Sequence, residues 1–208
     1  MTNIVTIKAR LRSLLEDNDA QRFSDELLSA ALHQALEEIN QRLPRILNTE
    51  VALTEDGRDQ TLSAISGCRY LISLTLLQAN GAARELAAGC SFTYRLQDGT
   101  PALHFLGSAI PRAGDRLHLS YASGYTIAGF EDQALTNLPE MLTVALVSGA
   151  AAHACLLRAG SLVERYGSNP KDSARMLEIG KLWRGTFERD LNGVKTLQEF
   201  GYPPGFVL

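Results

Sequence analysis

The stretch Phe23–Ile39, FSDELLSAALHQALEEI, sets the frame of the fold. Ser24 suits an N-cap, and Asp25 and Glu26 favour the positive end of a helix dipole. Phe23 and Leu28 occupy the two positions of a hydrophobic staple. Leu27, Leu28, Ala31, Leu32, Ala35, Leu36 and Ile39 then fall on one stripe at helical spacing. The pattern predicts an amphipathic helix that ends near Leu43, because Pro44 disfavours helix in the residue before it. Glu37 and Glu38 read as its solvated face. Upstream, Ile4, Ile7, Leu11, Leu14 and Leu15 share one face of a shorter helix, which Asp17-Asn18-Asp19 breaks.

Past residue 48 the apolar period changes from helical to two. Asp56-Gly57, Asn80-Gly81 and Asp98-Gly99 are dipeptides that tolerate the positive φ of a tight hairpin turn. Strand-like runs separate them: Glu50–Thr54, Arg69–Gln78, Ser91–Leu96 and Ala102–Leu106. Asp115–Tyr121 alternates, with Leu117, Leu119 and Tyr121 on one face and Arg116, His118 and Ser120 on the other. These runs predict a compact antiparallel sheet or small sandwich, left through the Gly-rich stretch Ser123–Gly129.

Helical spacing returns near residue 137. Pro139 suits a first helical position, and Met141, Leu142, Ala145, Leu146, Gly149, Ala150, His153 and Leu157 follow. Ser148–Ala152 is poor in bulky side chains and permits close approach of another backbone, within the chain or from a neighbouring subunit. Asn169-Pro170 reads as N-cap and first residue of a last helix, whose stripe is Met176, Ile179, Trp183, Phe187 and Leu191. Pro203 and Pro204 exclude helix from the tail, which is expected to be extended. Its apolar Phe206-Val207-Leu208 is expected to dock, on its own domain or on a neighbour. The expected architecture is α+β: residues 1–48 and 131–200 form a helical bundle around a β insertion at 49–130, with an extended tail at 201–208.

Composition narrows the function. The chain has 208 residues, 20 Lys and Arg, 23 Asp and Glu, and a formal charge of −3, with 45% apolar residues. That is an ordinary globular balance, too apolar for a disordered chain. Residues 1–48 and 49–130 each carry six basic and seven acidic side chains, and 131–208 carries eight and nine. The chain therefore shows no basic arm or patch, and dedicated nucleic-acid binding is disfavoured. The first two helices have the spacing of a helix-turn-helix, but Asp25, Glu26, Glu37 and Glu38 are the wrong sign for a recognition face. Cys68, Cys90 and Cys155 are widely spaced and read as small core residues. Met1-Thr2-Asn3-Ile4 shows no signal-peptide pattern, and the apolar stretch Leu138–Leu157 reads as a buried helix, so no membrane is expected as a partner.

No GxxxxGK[ST], GxGxxG, GxSxG or HExxH occurs. His104 and His118 sit on neighbouring predicted strands, where Asp98 or Asp115 would complete an acid/base or metal group. The competing reading of these histidines is a solvated sheet face. His153, on an alanine-rich face, reads as a packed or interfacial histidine. No catalytic residue, metal ligand or cofactor is expected.

The residues also resemble a family. Arg12-Ser13-Leu14-Leu15-Glu16-Asp17, then Arg22-Phe23-Ser24-Asp25-Glu26-Leu27-Leu28, then Ala30, Leu32, Ala35 and Leu36 resemble the N-terminal region of head–tail connector (adaptor or neck) proteins of tailed phages. Gly114–Tyr121 as a strand, followed by a Leu138-Pro139 helix start and an alanine-rich helix, is similar to longer members. The patterns are capping and packing motifs, not chemistry, and the β block is a departure from short connectors. The resemblance implies a non-enzymatic virion protein of the neck, assembled in the bacterial cytoplasm. It implies a homo-oligomeric ring, typically of twelve copies, bound to the portal, with the next neck or tail protein below and DNA passing unread through the lumen. Expected interface residues, toward the portal or a neighbouring subunit, are Trp183, Phe187, Tyr202, Pro203, Pro204, Phe206, Val207, Leu208, Gly149 and His153. The alternatives are another neck or tail-completion protein, or a ligand-binding or enzymatic domain that uses the His104/His118 face.

Overall fold

A computed structural model describes residues 3–107, 110–164 and 170–199, without the side chains of 197–199. The fold is α+β. In chain order it comprises α1 (Ile4–Leu14), α2 (Asp25–Arg42), β1 (Arg45–Ala52), β2 (Asp59–Thr61), β3 (Cys68–Leu77), β4 (Ala83–Leu86), β5 (Phe92–Gln97), β6 (Thr100–Phe105), β7 (Arg116–Ser123), α3 (Glu140–Glu164) and α4 (Pro170–Glu199). The chain divides into a helical unit, Met1–Leu43 with Tyr125–Leu208, and a β unit, Pro44–Gly124.

In the helical unit the cap and staple form as their residue types dictate. Ser24 Oγ accepts from Leu27 N at 3.2 Å, and Phe23 and Leu28 are both buried in one core. α2 ends at Arg42, with Leu43 N still bonded to Ile39 O. Asp17 does more than break α1. Its buried carboxylate accepts from the backbone N of Gln21, Arg22 and Phe23 and from Arg12 Nη1, at 2.8–3.1 Å. Arg12 also reaches Asp25 at 2.6 Å, so one guanidinium ties the end of α1 to the start of α2.

α3 is the central helix of this unit. By length and apolarity it would suffice to cross a membrane, but 67% of that apolar window is buried inside the protein. Its small residues serve packing against α2 and α4 of the same chain. A Cβ on Gly149 would lie 2.9 Å from the Phe187 ring and 3.2 Å from Ala35 Cβ; one on Gly180 would lie 3.3 Å from Cys155 Cβ. Buried Asn40 fixes the point of re-entry, accepting from Tyr125 N at 2.7 Å and donating to Tyr125 O at 3.5 Å. Pro170 opens α4; Asn169, expected as its cap, lies outside the described residues.

The β unit holds two antiparallel sheets, ordered β1-β7-β3-β4 and β2-β6-β5. Both feed one core: Leu74, Leu76, Leu117 and Leu119 from the first, Leu103 and Phe105 from the second. β7 alternates as its sequence predicts, with Leu117, Leu119 and Tyr121 inward. Asn80-Gly81 and Asp98-Gly99 form the β3–β4 and β5–β6 turns, the latter with both residues at positive φ. Asp56-Gly57 does not make a hairpin. β1 and β2 belong to different sheets, and Asp56 Oδ1 instead accepts from Ala113 N at 2.6 Å. Two strands carry no apolar alternation that marks them in the sequence: β2, three polar residues, and β4, whose Arg84 and Glu85 are solvated on a sheet edge.

Candidate functional site

Three places among the described residues bear on function. The first is a polar cluster on the helical unit. Arg184 of α4 donates to Glu38 of α2 twice, Nη1 to Oε2 at 2.6 Å and Nη2 to Oε1 at 2.5 Å. Arg42 donates to Glu38 at 3.4 Å and pairs with Glu188 at 2.7 Å, while Arg184 also pairs with Glu188 at 2.9 Å. Arg184 lies 5.3 Å from the centroid of the Phe187 ring. Burial opposes ionisation of Glu38, but the Arg184 hydrogen bonds and charge, with His153 beside them, overcome it and hold the carboxyl below its ordinary value. Hydrogen bonding to Arg42 does the same for Glu188.

Glu38 is therefore a half-buried tie between helices, not the solvated residue its sequence position suggests. Glu38 with Arg42 and Arg184 with Glu188 are each one helical turn apart, and that spacing was the available signal for the cluster. His153 joins at its edge, with Nε2 3.5 Å from Glu38 Oε2. Burial and the Arg184 charge push its imidazole below the ordinary value against the pull of Glu38, which favours the neutral form.

The second place is the sheet face of the proposed histidine pair, and the structure corrects that expectation. His104 is on β6 and His118 on β7, which lie in different sheets. His104 Nδ1 contacts its cross-strand neighbour Asp59 at 2.7 Å, both exposed. Exposed His118 stands opposite Glu50 and Thr75. Asp115 is buried and accepts from Ala79 N and Arg112 N, so it serves neither histidine. Among the described residues no group of three or more His, Cys, Asp or Glu is placed to hold a metal ion.

The third place is a cleft of about 500 Å³ where the α1–α2 turn meets the C-terminal half of α3 and the N-terminal half of α4. Phe23, Cys155, Met176, Ile179 and Trp183 give it apolar walls, and Arg22, Arg158, Arg175, Glu16 and Asp172 also line it. Burial pushes the Cys155 thiol up to about 11, so it is an inert wall atom. Cys68 is buried as expected, whereas Cys90 is exposed.

Of the interface residues expected from sequence, Trp183 is half-buried in the cleft wall and His153 is mostly covered. Gly149 and Phe187 face each other in the core of the helical unit. This corrects the expectation for that pair, because a fully buried ring has no surface for a neighbour. Tyr202, Pro203, Pro204, Phe206, Val207 and Leu208 lie outside the described residues.

No protein-family model and no curated protein matches the chain. Solved structures do. The chain is similar to one in the neck of an empty gene transfer agent (GTA) particle computed with C6 symmetry, at 20% identity and a TM-score of 0.31, over 83% of this chain and 87% of that one. It is similar to one in the neck of a native GTA particle computed with C12 symmetry, at 21% identity and 0.31, over 86% and 94%. A third lies in the virion of a native GTA particle, at 21% identity and 0.30, over 74% and 76%.

Proposed function

We propose that this chain is a structural neck protein of a phage-like particle: a head–tail connector subunit that forms a ring against the portal. The observation that carries the reading is the segment Arg12–Leu28. The residues by which the sequence resembles connector proteins are the ones that build the α1–α2 turn. Asp17 gathers three backbone N–H groups, Arg12 joins Asp17 to Asp25, and Arg22 donates to the carbonyls of Leu15 and Glu16. The turn is thus a specific construction that chance capping patterns do not require.

In this reading the mechanism is assembly. Twelve copies would surround a lumen through which DNA passes, and the absence of a basic surplus limits sticking. Trp183 and the tail residues Tyr202, Pro203, Pro204, Phe206, Val207 and Leu208 are the proposed anchors toward the portal or a neighbour, since bulky apolar groups dominate interface energies. His153 is proposed at the margin of that surface. The next neck or tail protein docks on the far side of the ring. A tail-completion protein shares the ring but differs in partner.

Co-purification from a common lysate distinguishes them. Retention of the portal supports the connector, whereas retention of the tail tube without portal contradicts it. Deleting Tyr202–Leu208 is expected to leave the melting temperature unchanged and to weaken portal retention. A large fall in melting temperature would instead assign the tail to the subunit's own core.

A further inference from the structure

Within the helical unit, the structure carries a knob and a socket of opposite charge at opposite ends of α1. We propose that they meet between copies of this chain, the loop 126–137 of one subunit seating Leu135 and Asp132 in the arginine-rimmed cleft of the next. The inference rests on the ring reading above and names its subunit contact.

The knob is an ordered loop. Gly129 N donates to Gln133 O at 2.8 Å, Asn137 N to Thr126 O at 3.1 Å, Thr126 Oγ1 to Leu135 O at 3.0 Å and Ala128 N to Thr136 Oγ1 at 2.9 Å. Glu131 and Asp132 hold left-handed conformations, φ 50° and 59°, which non-glycine residues adopt at a cost. This bracing displays Leu135, 73% exposed. Glu131 is already paired with His33 at 2.8 Å, while Asp132 has no ion-pair partner among the described residues. The loop therefore offers one bare leucine and one open carboxylate, already ordered, so binding costs little conformational entropy.

The socket matches in both respects. Phe23, Met176, Ile179 and Trp183 form an apolar wall that accepts a leucine side chain. Glu16 and Asp172 also line the cleft, and Arg22 is committed to the Leu15 and Glu16 carbonyls, but half-buried Arg158 and exposed Arg175 make no ion pair with these acids or with any other described residue, so the lining keeps a positive surplus. A half-buried, unpaired guanidinium favours an incoming carboxylate.

The loop cannot fill the cleft of its own chain. α1 begins at the loop, where Ile4 N donates to Ala128 O at 3.1 Å, and ends at the cleft wall with Leu14. Its length, about 15 Å at 1.5 Å per residue, separates the two, and the braced loop does not span it. A contact between unlike patches is heterologous: repeated, it closes a ring or runs into a filament.

Sedimentation velocity of the full chain over a concentration series tests this, with portal retention measured on the same samples. Wild type is expected to self-associate, more weakly at high salt. Leu135→Asp and Arg158→Glu should each raise the dissociation constant about tenfold or more with unchanged melting temperature. Asp132→Arg should weaken association, and Asp132→Arg with Arg158→Glu should recover it. A wild-type chain that stays monomeric at its highest soluble concentration overturns the contact, as does a Leu135→Asp variant that associates like wild type. If Arg158→Glu weakens association but Leu135→Asp does not, another occupant fills the cleft, and loss of the same effect on deleting Tyr202–Leu208 identifies it as the tail. Wild type that self-associates without retaining the portal contradicts the connector reading alone. Wild type that retains the portal while monomeric contradicts the contact alone.

Discussion

Glu38 and Arg184, 146 residues apart in sequence, meet through two hydrogen bonds of 2.6 and 2.5 Å that tie α2 to α4. Glu38→Gln keeps the shape and removes the charge. Because Arg184 is 39% exposed, the pair is screened, and the expected loss is about 1–2 kcal/mol, read as a fall of a few degrees in melting temperature. No change would show that solvent replaces the pair at no cost.

The same cluster sets an acid sensitivity. His153 is held below its ordinary 6.5, and Glu38 and Glu188 below their ordinary 4.5. A lowered folded value contributes stability above the unfolded value and loses it as pH falls toward the folded one. Melting temperature should therefore decline in two stages, from about pH 6.5 downward and again below about pH 4.5. His153→Gln should flatten the upper stage and leave the lower. An unchanged upper stage in that variant would assign it to another group.

Gly149 and Gly185 make opposite predictions for one substitution. At Gly149 a methyl would meet the buried Phe187 ring at 2.9 Å, so Gly149→Ala should cost about 1–3 kcal/mol despite its better helix propensity. At exposed Gly185 nothing lies within 4 Å, so Gly185→Ala should stabilise by about 0.5–1 kcal/mol. Chemical denaturation of the two variants checks both signs.

Asp17 should be among the most sensitive polar positions. Asp17→Ala strips acceptors from three backbone N–H groups and a partner from Arg12, and about 2–4 kcal/mol should be lost in denaturant unfolding. A loss below 1 kcal/mol would mean that water satisfies the turn equally well.

His104 and His118 should matter little. Replacing both with alanine is expected to shift stability by less than about 0.5 kcal/mol, and divalent metals should not move the melting temperature of the wild type. A metal-induced rise that the double variant abolishes would revive a ligand site on the β unit.

What the sequence revealed depended on how local the cause was. α2 was legible because its cap, staple and stripe lie within seventeen residues of one another. β7 was legible because period-two alternation is a local signal. Turn dipeptides were less decisive. Asp56-Gly57 marks a change of direction, but nothing nearby says that the next strand joins a different sheet. His104 and His118 lie on strands that are consecutive in sequence, but β6 and β7 belong to different sheets, and nothing local marks that separation. Glu38 has a local signal only in Arg42 one turn on, a spacing that solvated helix faces share, and only the packing of α4 makes it a tie. The cleft was invisible for the same reason, since its walls come from a turn and two helices far apart in the chain. The small residues around Gly149 mark a close-approach position, but nothing local says that the approaching group is Phe187 of the same chain.

The central proposal is that the chain is a ring-forming neck subunit. Negative-stain imaging of the purified protein at high concentration, alone and mixed with the portal from the same genome, tests it most directly. The account predicts rings with a central hole, or portal particles lengthened by one layer. Small compact particles in the first sample and unaltered portals in the second would contradict it.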